Sequence, residues 1–428
     1  MKWASAISTR FSLEAAVKEV VQQAQQSLAT TADLALVFIS STFASEYPRL
    51  LPLLREELAV AGAMPQLIGC GGGGVLGITP KGDALEVEAE PSLSLMLAHL
   101  PGVKVQPFHV DSDELPDMDS SPNTWVELVG ADPTENPQFI LLADTLSARV
   151  NDLLQGLDYA YPGAVKIGGA TSGSGSFGGC GLFCNDKLYR EGTVGVALSG
   201  NLVIETIVAQ GCRPIGQPYR VVSAEKNVIL KVAEQLPSGE EDDDEMESET
   251  PLEALQDLIQ ELDESDRLLA QDSLFVGIVR DEFKQSLEQG DFLIRVLMGV
   301  DPRAGAIAIG DRVRPGQRMQ FHLRDADTSA EDLEMLLKRY LKQLKQQANA
   351  KQANTAPPPQ GALLFSCLGR GVGLYGETNF DSGLFREYFS QVPLAGFFCQ
   401  GEIGPIGAET FLHGYTSVFG IFRSTNPT

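Results

Sequence analysis

Phe139-Ile140-Leu141-Leu142-Ala143-Asp144, a helix-length stretch at 148–160, and then Lys166-Ile167-Gly168-Gly169-Ala170-Thr171-Ser172-Gly173-Ser174-Gly175 together decide the fold. The first run is apolar without alternation, as in a strand buried on both faces. The second strand breaks into a glycine-rich turn. A strand, a surface helix and a second strand make a parallel pair joined by a right-handed crossover. The same order is met twice more. Leu34-Ala35-Leu36-Val37-Phe38-Ile39-Ser40 is followed by a helix around Pro52–Val60 and by Gln66-Leu67-Ile68-Gly69-Cys70-Gly71-Gly72-Gly73-Gly74. Ala362-Leu363-Leu364-Phe365-Ser366-Cys367 is followed by a helix at about 382–390 and by Leu394–Gly407. A fourth run, Leu274–Val279, starts in the same way but lacks a clear helix and glycine turn. Hairpin-like stretches lie between the units, at Gly181–Leu198 around Asn185-Asp186 and at Thr410–Phe422. The predicted class is therefore α/β, with mixed β-sheets flanked by helices and an internally duplicated plan in two closely associated domains. A stacked-sheet sandwich satisfies the same pattern.

Two segments punctuate this plan. Residues 238–249 carry the acidic block Glu240-Glu241-Asp242-Asp243-Asp244-Glu245, and 349–360 are rich in Ala, Asn and Gln and end in Pro357-Pro358-Pro359. Both read as solvated linkers. The first leads into Thr250-Pro251-Leu252-Glu253, a capping box with Pro at the first helical position, so a helix is predicted to follow. A second capped helix is predicted over Glu331–Lys345.

The 428 residues are 43% hydrophobic, enough for a sizeable core in two or more domains. No apolar run is long enough to span a bilayer, and the N-terminus lacks the apolar core of a signal peptide. A cytoplasmic location and no membrane insertion are expected. The net charge of −25 leaves no basic stripe for nucleic acid. Cysteines at 70, 180, 184, 212, 367 and 399 are too sparse for a disulfide framework. Cys180 and Cys184 have no second pair to complete a zinc site, so reduced, buried thiols are expected. No cofactor and no metal is expected.

Four groups of residues are capable of chemistry. The glycine turns at 69–74 and 168–175 lack the Lys-Ser/Thr ending of a phosphate loop and the acidic partner of a dinucleotide site. They remain either tight turns or backbone amides facing a carboxylate, with Gly169 and Ser172 as candidate ligand contacts. Ser366-Cys367-Leu368-Gly369-Arg370-Gly371 places a thiol and a guanidinium at a strand end. Arg370, between Gly369 and Gly371, either anchors a carboxylate or makes an ion pair. Cys367 or Cys399 with His413 and Glu402 supplies the residue types of a thiol hydrolase. Asp281, Glu282 and Asp325 either take a ligand ammonium or pair with Arg280 and Arg324, and Arg213 sits in a rigid loop at 211–219.

Several segments together resemble the FIST family, a sensory module with an N-terminal and a C-terminal domain. They are Ile68-Gly69-Cys70, Gly168–Gly173, Gly211-Cys212-Arg213-Pro214-Ile215-Gly216, Gly290–Arg295, Cys367–Gly371 and Gly396-Phe397-Phe398-Cys399-Gln400-Gly401-Glu402-Ile403-Gly404-Pro405. The resemblance implies domains at 30–212 and 213–428 and a role in signal transduction through a small ligand, with amino acids the usual proposal. It brings no catalytic residues. Relatives join the module to signalling domains or to an F-box. This chain is expected to be free-standing and so to act through an unknown downstream signalling protein.

The resulting expectation is a sensor that binds a small polar metabolite such as an amino acid in a cleft between its two halves. Arg370, Arg213 and the turn amides of Gly369, Gly371, Gly169 and Ser172 would take the carboxylate, and Glu402 and Asp281 the ammonium. The alternatives are a cysteine enzyme using Cys367 or Cys399 with His413, and a protein-interaction adaptor that docks through its linkers.

Overall fold

Three rounds of one strand pattern make up most of the chain. A computed structural model describes residues 1–59, 64–146, 148–173, 180–234, 248–280, 282–284, 286–287, 290–349 and 357–425. The first round runs β1 (Lys2–Ser8), α1 (Leu13–Leu28), β2 (Leu34–Ser40), α2 (Tyr47–Ala59), β3 (Gln66–Gly72), a hairpin of β4 (Gly74–Ile78) and β5 (Ala84–Glu88), and β6 (Leu93–His99). The second runs β7 (Val103–Val110), α3 (Pro122–Val129), β8 (Gln138–Ala143), α4 (Val150–Ala160), β9 (Lys166–Ala170), the hairpin β10 (Leu182–Cys184) and β11 (Lys187–Tyr189), and β12 (Thr193–Gly200). The third opens with β13 (Val203–Ala209).

There the chain enters a second compact unit, Gln210–Leu333; the first unit comprises Met1–Ala209 and Glu334–Thr428. The inserted unit holds β14 (Arg213–Glu225), β15 (Val228–Glu234), α5 (Pro251–Glu261), α6 (Glu264–Asp272), β16 (Leu274–Val279), β17 (Phe292–Asp301), β18 (Ala306–Ile309) and β19 (Arg318–Leu323). Along α7 (Ala326–Asn349) the chain returns to the third round. That round then completes itself with β20 (Gly361–Cys367), α8 (Gly371–Tyr375), α9 (Phe380–Tyr388), β21 (Leu394–Cys399), the hairpin β22 (Glu402–Ile406) and β23 (Glu409–His413), and β24 (Ser417–Arg423). The sequence-based domains, 30–212 and 213–428, divide the chain by motif, whereas compactness divides it by this insertion.

Each round builds a six-stranded mixed sheet of the same order. The sheets are β1-β6-β2-β3-β10-β11, β7-β12-β8-β9-β22-β23 and β13-β24-β20-β21-β4-β5. The central pairs β2/β3, β8/β9 and β20/β21 are the parallel pairs expected from the sequence. The hairpins are exchanged in a ring. The first round's hairpin extends the third sheet, the second's extends the first, and the third's extends the second.

The apolar runs are continuous because each central strand is covered on both faces. Leu34, Leu36, Phe38, Ile140, Leu142, Leu363 and Phe365 face one shared inner core. Ala35, Val37 and Ile39 face α1 and α2, and Phe139, Leu141 and Ala143 pack in the cluster containing α3 and α4. At the centre of the inner core Phe38 stacks on Phe397 at 5.3 Å, and Phe365 meets both rings edge-on.

The fourth apolar run is not another round. Leu274–Val279 is β16, antiparallel to β17 and β19 in a closed six-stranded barrel, and its neighbours are reached without a crossover helix. The predicted capping box forms at the start of α5, with Glu253 N–H donating to Thr250 Oγ1 and Thr250 N–H to Glu253 Oε2 at 2.9 Å. Leu255 and Leu258 of that helix pack on the barrel interior cluster. Most of the two predicted linkers, 235–247 and 350–356, lies outside the described residues.

Candidate functional site

The strand ends of the three rounds meet through their glycine turns. In each parallel pair one glycine lies opposite the middle of the first strand: Gly69 opposite Val37, Gly168 opposite Leu141, Gly396 opposite Leu364. A Cβ at these positions would fall 2.2, 1.8 and 1.8 Å from the carbonyl oxygen of the facing residue, so only glycine lets the strands close. Beyond them, Ser172 ties the turns together. Its hydroxyl accepts from Gly73 N–H at 2.8 Å and donates to the Phe398 carbonyl. Ala170 N–H donates to Gly401 O at 2.7 Å, and Gln400 N–H returns to Ala170 O at 3.1 Å. Gly71 N–H donates to Gly181 O at 2.8 Å.

A cavity of about 280 Å³ opens beside this junction. Its floor is Ala170 and its walls are Thr145, Gln400, Leu412 and the first turn of α4, from Arg149 to Asp152. Thr145 Oγ1 donates to the Thr171 carbonyl, which fixes the loop leaving β8. Arg149, at the N-cap of α4, makes no side-chain capping bond, among the described residues no capping oxygen meets the N–H groups of the first turn, and the helix dipole adds positive potential there. Arg149 reaches Asp152 across that turn, at 2.8 Å from Nε and 2.6 Å from the terminal nitrogen. Both side chains remain substantially exposed, 54% and 38%. The cavity draws its lining from both sequence-based domains.

The other candidate residues fall in distinct surroundings. Arg370 is fully buried and its fork is filled from within: Nε and one terminal nitrogen hold Asp381 at 2.8 and 3.0 Å. The same terminal nitrogen meets the Tyr375 hydroxyl, and the other reaches the Tyr415 carbonyl. Ser366 and Ser417 donate to the same Asp381 carboxylate. Burial opposes the charge on Arg370, but the adjacent carboxylate outweighs it and holds the guanidinium above its usual pKa. Asp381 is likewise held below the usual carboxylate range, the guanidinium overcoming the cost of burial. Gly371 packs against Glu88, whose carboxylate accepts from Val372 N–H at 2.9 Å; Gly369 packs against the ring of Tyr415.

Cys399, Glu402, His413 and Gly169 do come together. Glu402 is registered opposite both Gly169 and His413, and a Cβ on Gly169 would lie 2.3 Å from Cys399 Sγ. All are buried. His413 Nε2 is 2.9 Å from the Gly404 carbonyl, and Glu402 accepts from Thr416 N–H. Burial raises the Cys399 and Cys70 thiols well above their ordinary pKa and lifts Cys180 to about 12, so these sulfurs stay protonated and weakly nucleophilic. All six cysteines are free thiols, and Cys367 is buried beside its strand partner Cys399.

In the inserted unit Arg213 pairs with Asp266 and, at 3.6 Å, with Asp325. Glu282 pairs with Arg318 at 3.0 Å. Asp281 lies outside the described residues. Among the described residues no group of three or more His, Cys, Asp or Glu is placed to hold a metal ion, and no helix is long and apolar enough to cross a membrane. Thr145, Arg149, Asp152 and Gln400 escaped the sequence reading. The helix predicted over 148–160 would begin after Ser147, an ordinary cap residue, whereas α4 begins at Val150 with Arg149 at its cap, so no local signal marked them.

Comparison with known sequences agrees with the architecture. The FIST N domain model matches residues 33–235 and the FIST C domain model 251–405. An uncharacterized protein of Mycobacterium tuberculosis (strain ATCC 25618 / H37Rv) is 32% identical over 417 residues, spanning 97% of this chain and 98% of its own length. One of Mycobacterium bovis is 33% identical over 337 residues, 79% of each chain. F-box only protein 22 of Homo sapiens is 41% identical over 58 residues, 13% of each.

Proposed function

The chain belongs to the FIST family, whose domains are associated with sensory signal transduction, and from that premise we propose that it is a sensor whose ligand is a small zwitterion of the amino-acid type. The observation that carries the reading is the cavity between the second and third rounds, with an uncapped helix start and an exposed Arg149–Asp152 pair in its wall. A carboxylate satisfies the first-turn N–H groups of α4 and the Arg149 fork. An ammonium takes Asp152, and the Gln400 amide and Thr145 hydroxyl offer further polar contacts. The ligand thus exchanges one ion pair for two, with a small side chain against Leu412 and Ala148.

In this reading the carboxylate falls to α4 rather than to Arg370 or Arg213, because Asp381 and Asp266 already occupy those forks. Gly169 and Ser172 act through the turn they hold, and Glu402 through its place at the start of β22, two residues beyond Gln400. Signal output would follow because a ligand here touches the second and third rounds at once, and a downstream protein would read the altered junction.

The test is a thermal-shift and calorimetric screen against amino acids and small carboxylates. A ligand at a hundred times its dissociation constant stabilises by about 2.7 kcal/mol, and each kcal/mol moves the midpoint of a domain of about 150–250 residues by roughly 2–4 °C, and of a larger one by less. The expected result is a shift with an amino acid that disappears in Arg149→Gln and in Asp152→Asn. A flat screen, or a shift untouched by both variants, removes the assignment.

A further inference from the structure

A larger cavity in the first unit lies elsewhere, where α1, the β4–β5 turn and the end of α9 enclose about 700 Å³. That is well within the range of small-molecule sites, roughly 300–1,000 Å³. Its lining is predominantly polar. Hydroxyls come from Ser5, Ser27 and Thr79, and carboxamides from Gln23, Gln26 and Gln391. Trp3, stacked on Phe422 at 4.3 Å, forms an apolar wall.

The charge of the lining runs against the chain. The sequence holds 57 acidic and 32 basic residues, yet among the described residues this cavity is lined by Lys81 and Arg386 and by no carboxylate. Arg386 donates to the backbone carbonyls of Gly82 at 2.5 Å and Val392 at 3.3 Å, which fixes its guanidinium at the rim. Neither carbonyl carries a countercharge. Burial lowers the Arg386 pKa, and Asp83, outside the lining, offsets this only in part. A partly buried cation whose hydrogen-bond partners are carbonyl dipoles, and whose burial is only partly offset by a nearby carboxylate, is stabilised by an anion. Lys81, on the exposed turn above, adds a second charge to the same mouth.

We infer that this cavity binds a small molecule bearing an oxyanion, phosphate or carboxylate, on a hydroxyl-rich body. The oxyanion meets Arg386 and Lys81, and the hydroxyls exchange hydrogen bonds with the Ser, Thr and Gln side chains. This site is separate from the α4 cavity, and neither needs the other.

Isothermal titration with glucose 6-phosphate, gluconate and glucose tests the inference on the full chain. The expected result is binding of at least one of the two anions and not of glucose; whichever anion binds identifies the group. Lys81→Gln, on an exposed turn, should weaken that binding roughly tenfold while leaving the unfolding midpoint of the free protein in place, and added salt should weaken it further. Arg149→Gln should leave it unchanged, which separates this site from the α4 cavity. Silence with both anions, glucose binding as tightly as they do, or full affinity in Lys81→Gln overturns it.

Discussion

Arg370–Asp381 and Arg149–Asp152 are built from the same two side-chain types, and the first unit uses them in opposite ways. Arg370 and Asp381 are dry, bidentate and surrounded by hydroxyl donors from Ser366, Ser417 and Tyr375. Removing either leaves a buried charge with no solvent to receive it. Arg149 and Asp152 lie one helical turn apart, half in water, and contribute little to holding the fold. A charged pair that water can reach is free to be replaced by a ligand; one that water cannot reach is committed to the structure.

The sharpest way to break this contrast is Arg370→Ala. It should cost about 3–5 kcal/mol in urea unfolding, the usual penalty for an orphaned buried charge. A loss below about 1 kcal/mol would place Arg370 with Arg149 after all. Glu86 supplies the next largest effect. It accepts from Ser382 N–H at 2.8 Å, and burial, then the charge of Asp381, raise its pKa to about 7. A carboxyl whose folded pKa exceeds its unfolded one gives stability that is full below the unfolded value and is lost as pH rises through the folded value. Stability should therefore fall between about pH 4.5 and 7 through this group, and Glu86→Gln should flatten that fall in a series of unfolding curves. Gly168→Ala comes third, at roughly 1–3 kcal/mol, because the added Cβ meets the backbone of Leu141, which has little room to move. Gly69→Ala, with a wider approach, should cost less. The smallest effect belongs to Arg149→Gln, expected within about 0.5 kcal/mol in stability while abolishing the amino-acid response.

Where sequence and structure agree, and where they part, follows from the same physics. The parallel pairs were legible because strands covered on both faces must be apolar throughout, and the helices because their caps and spacing are local. Leu274–Val279 has the same burial pattern as the true repeats, since a barrel strand and a crossover strand both lose their water. Only the connections distinguish them. The chemistry of Arg370 was ambiguous because its partner, Asp381, sits on the next helix and carries no mark of pairing. The α4 cavity was illegible for the opposite reason. A helix start without a capping side chain is an absence, and absences in a sequence are common.

The ring of exchanged hairpins has a consequence for synthesis. β4 and β5 leave the ribosome long before β20, β21 and β24, yet belong to the same sheet as those strands. Until translation passes the inserted barrel and reaches the last strands, the early hairpin has no edge to join and the first sheet has no finished neighbour. Such distant pairings slow folding and leave strand edges open in the meantime. A nascent chain halted after the second round would expose the inner faces of both early sheets, so this protein should emerge as a client of whatever shields unfinished β-structure, and mature only on release.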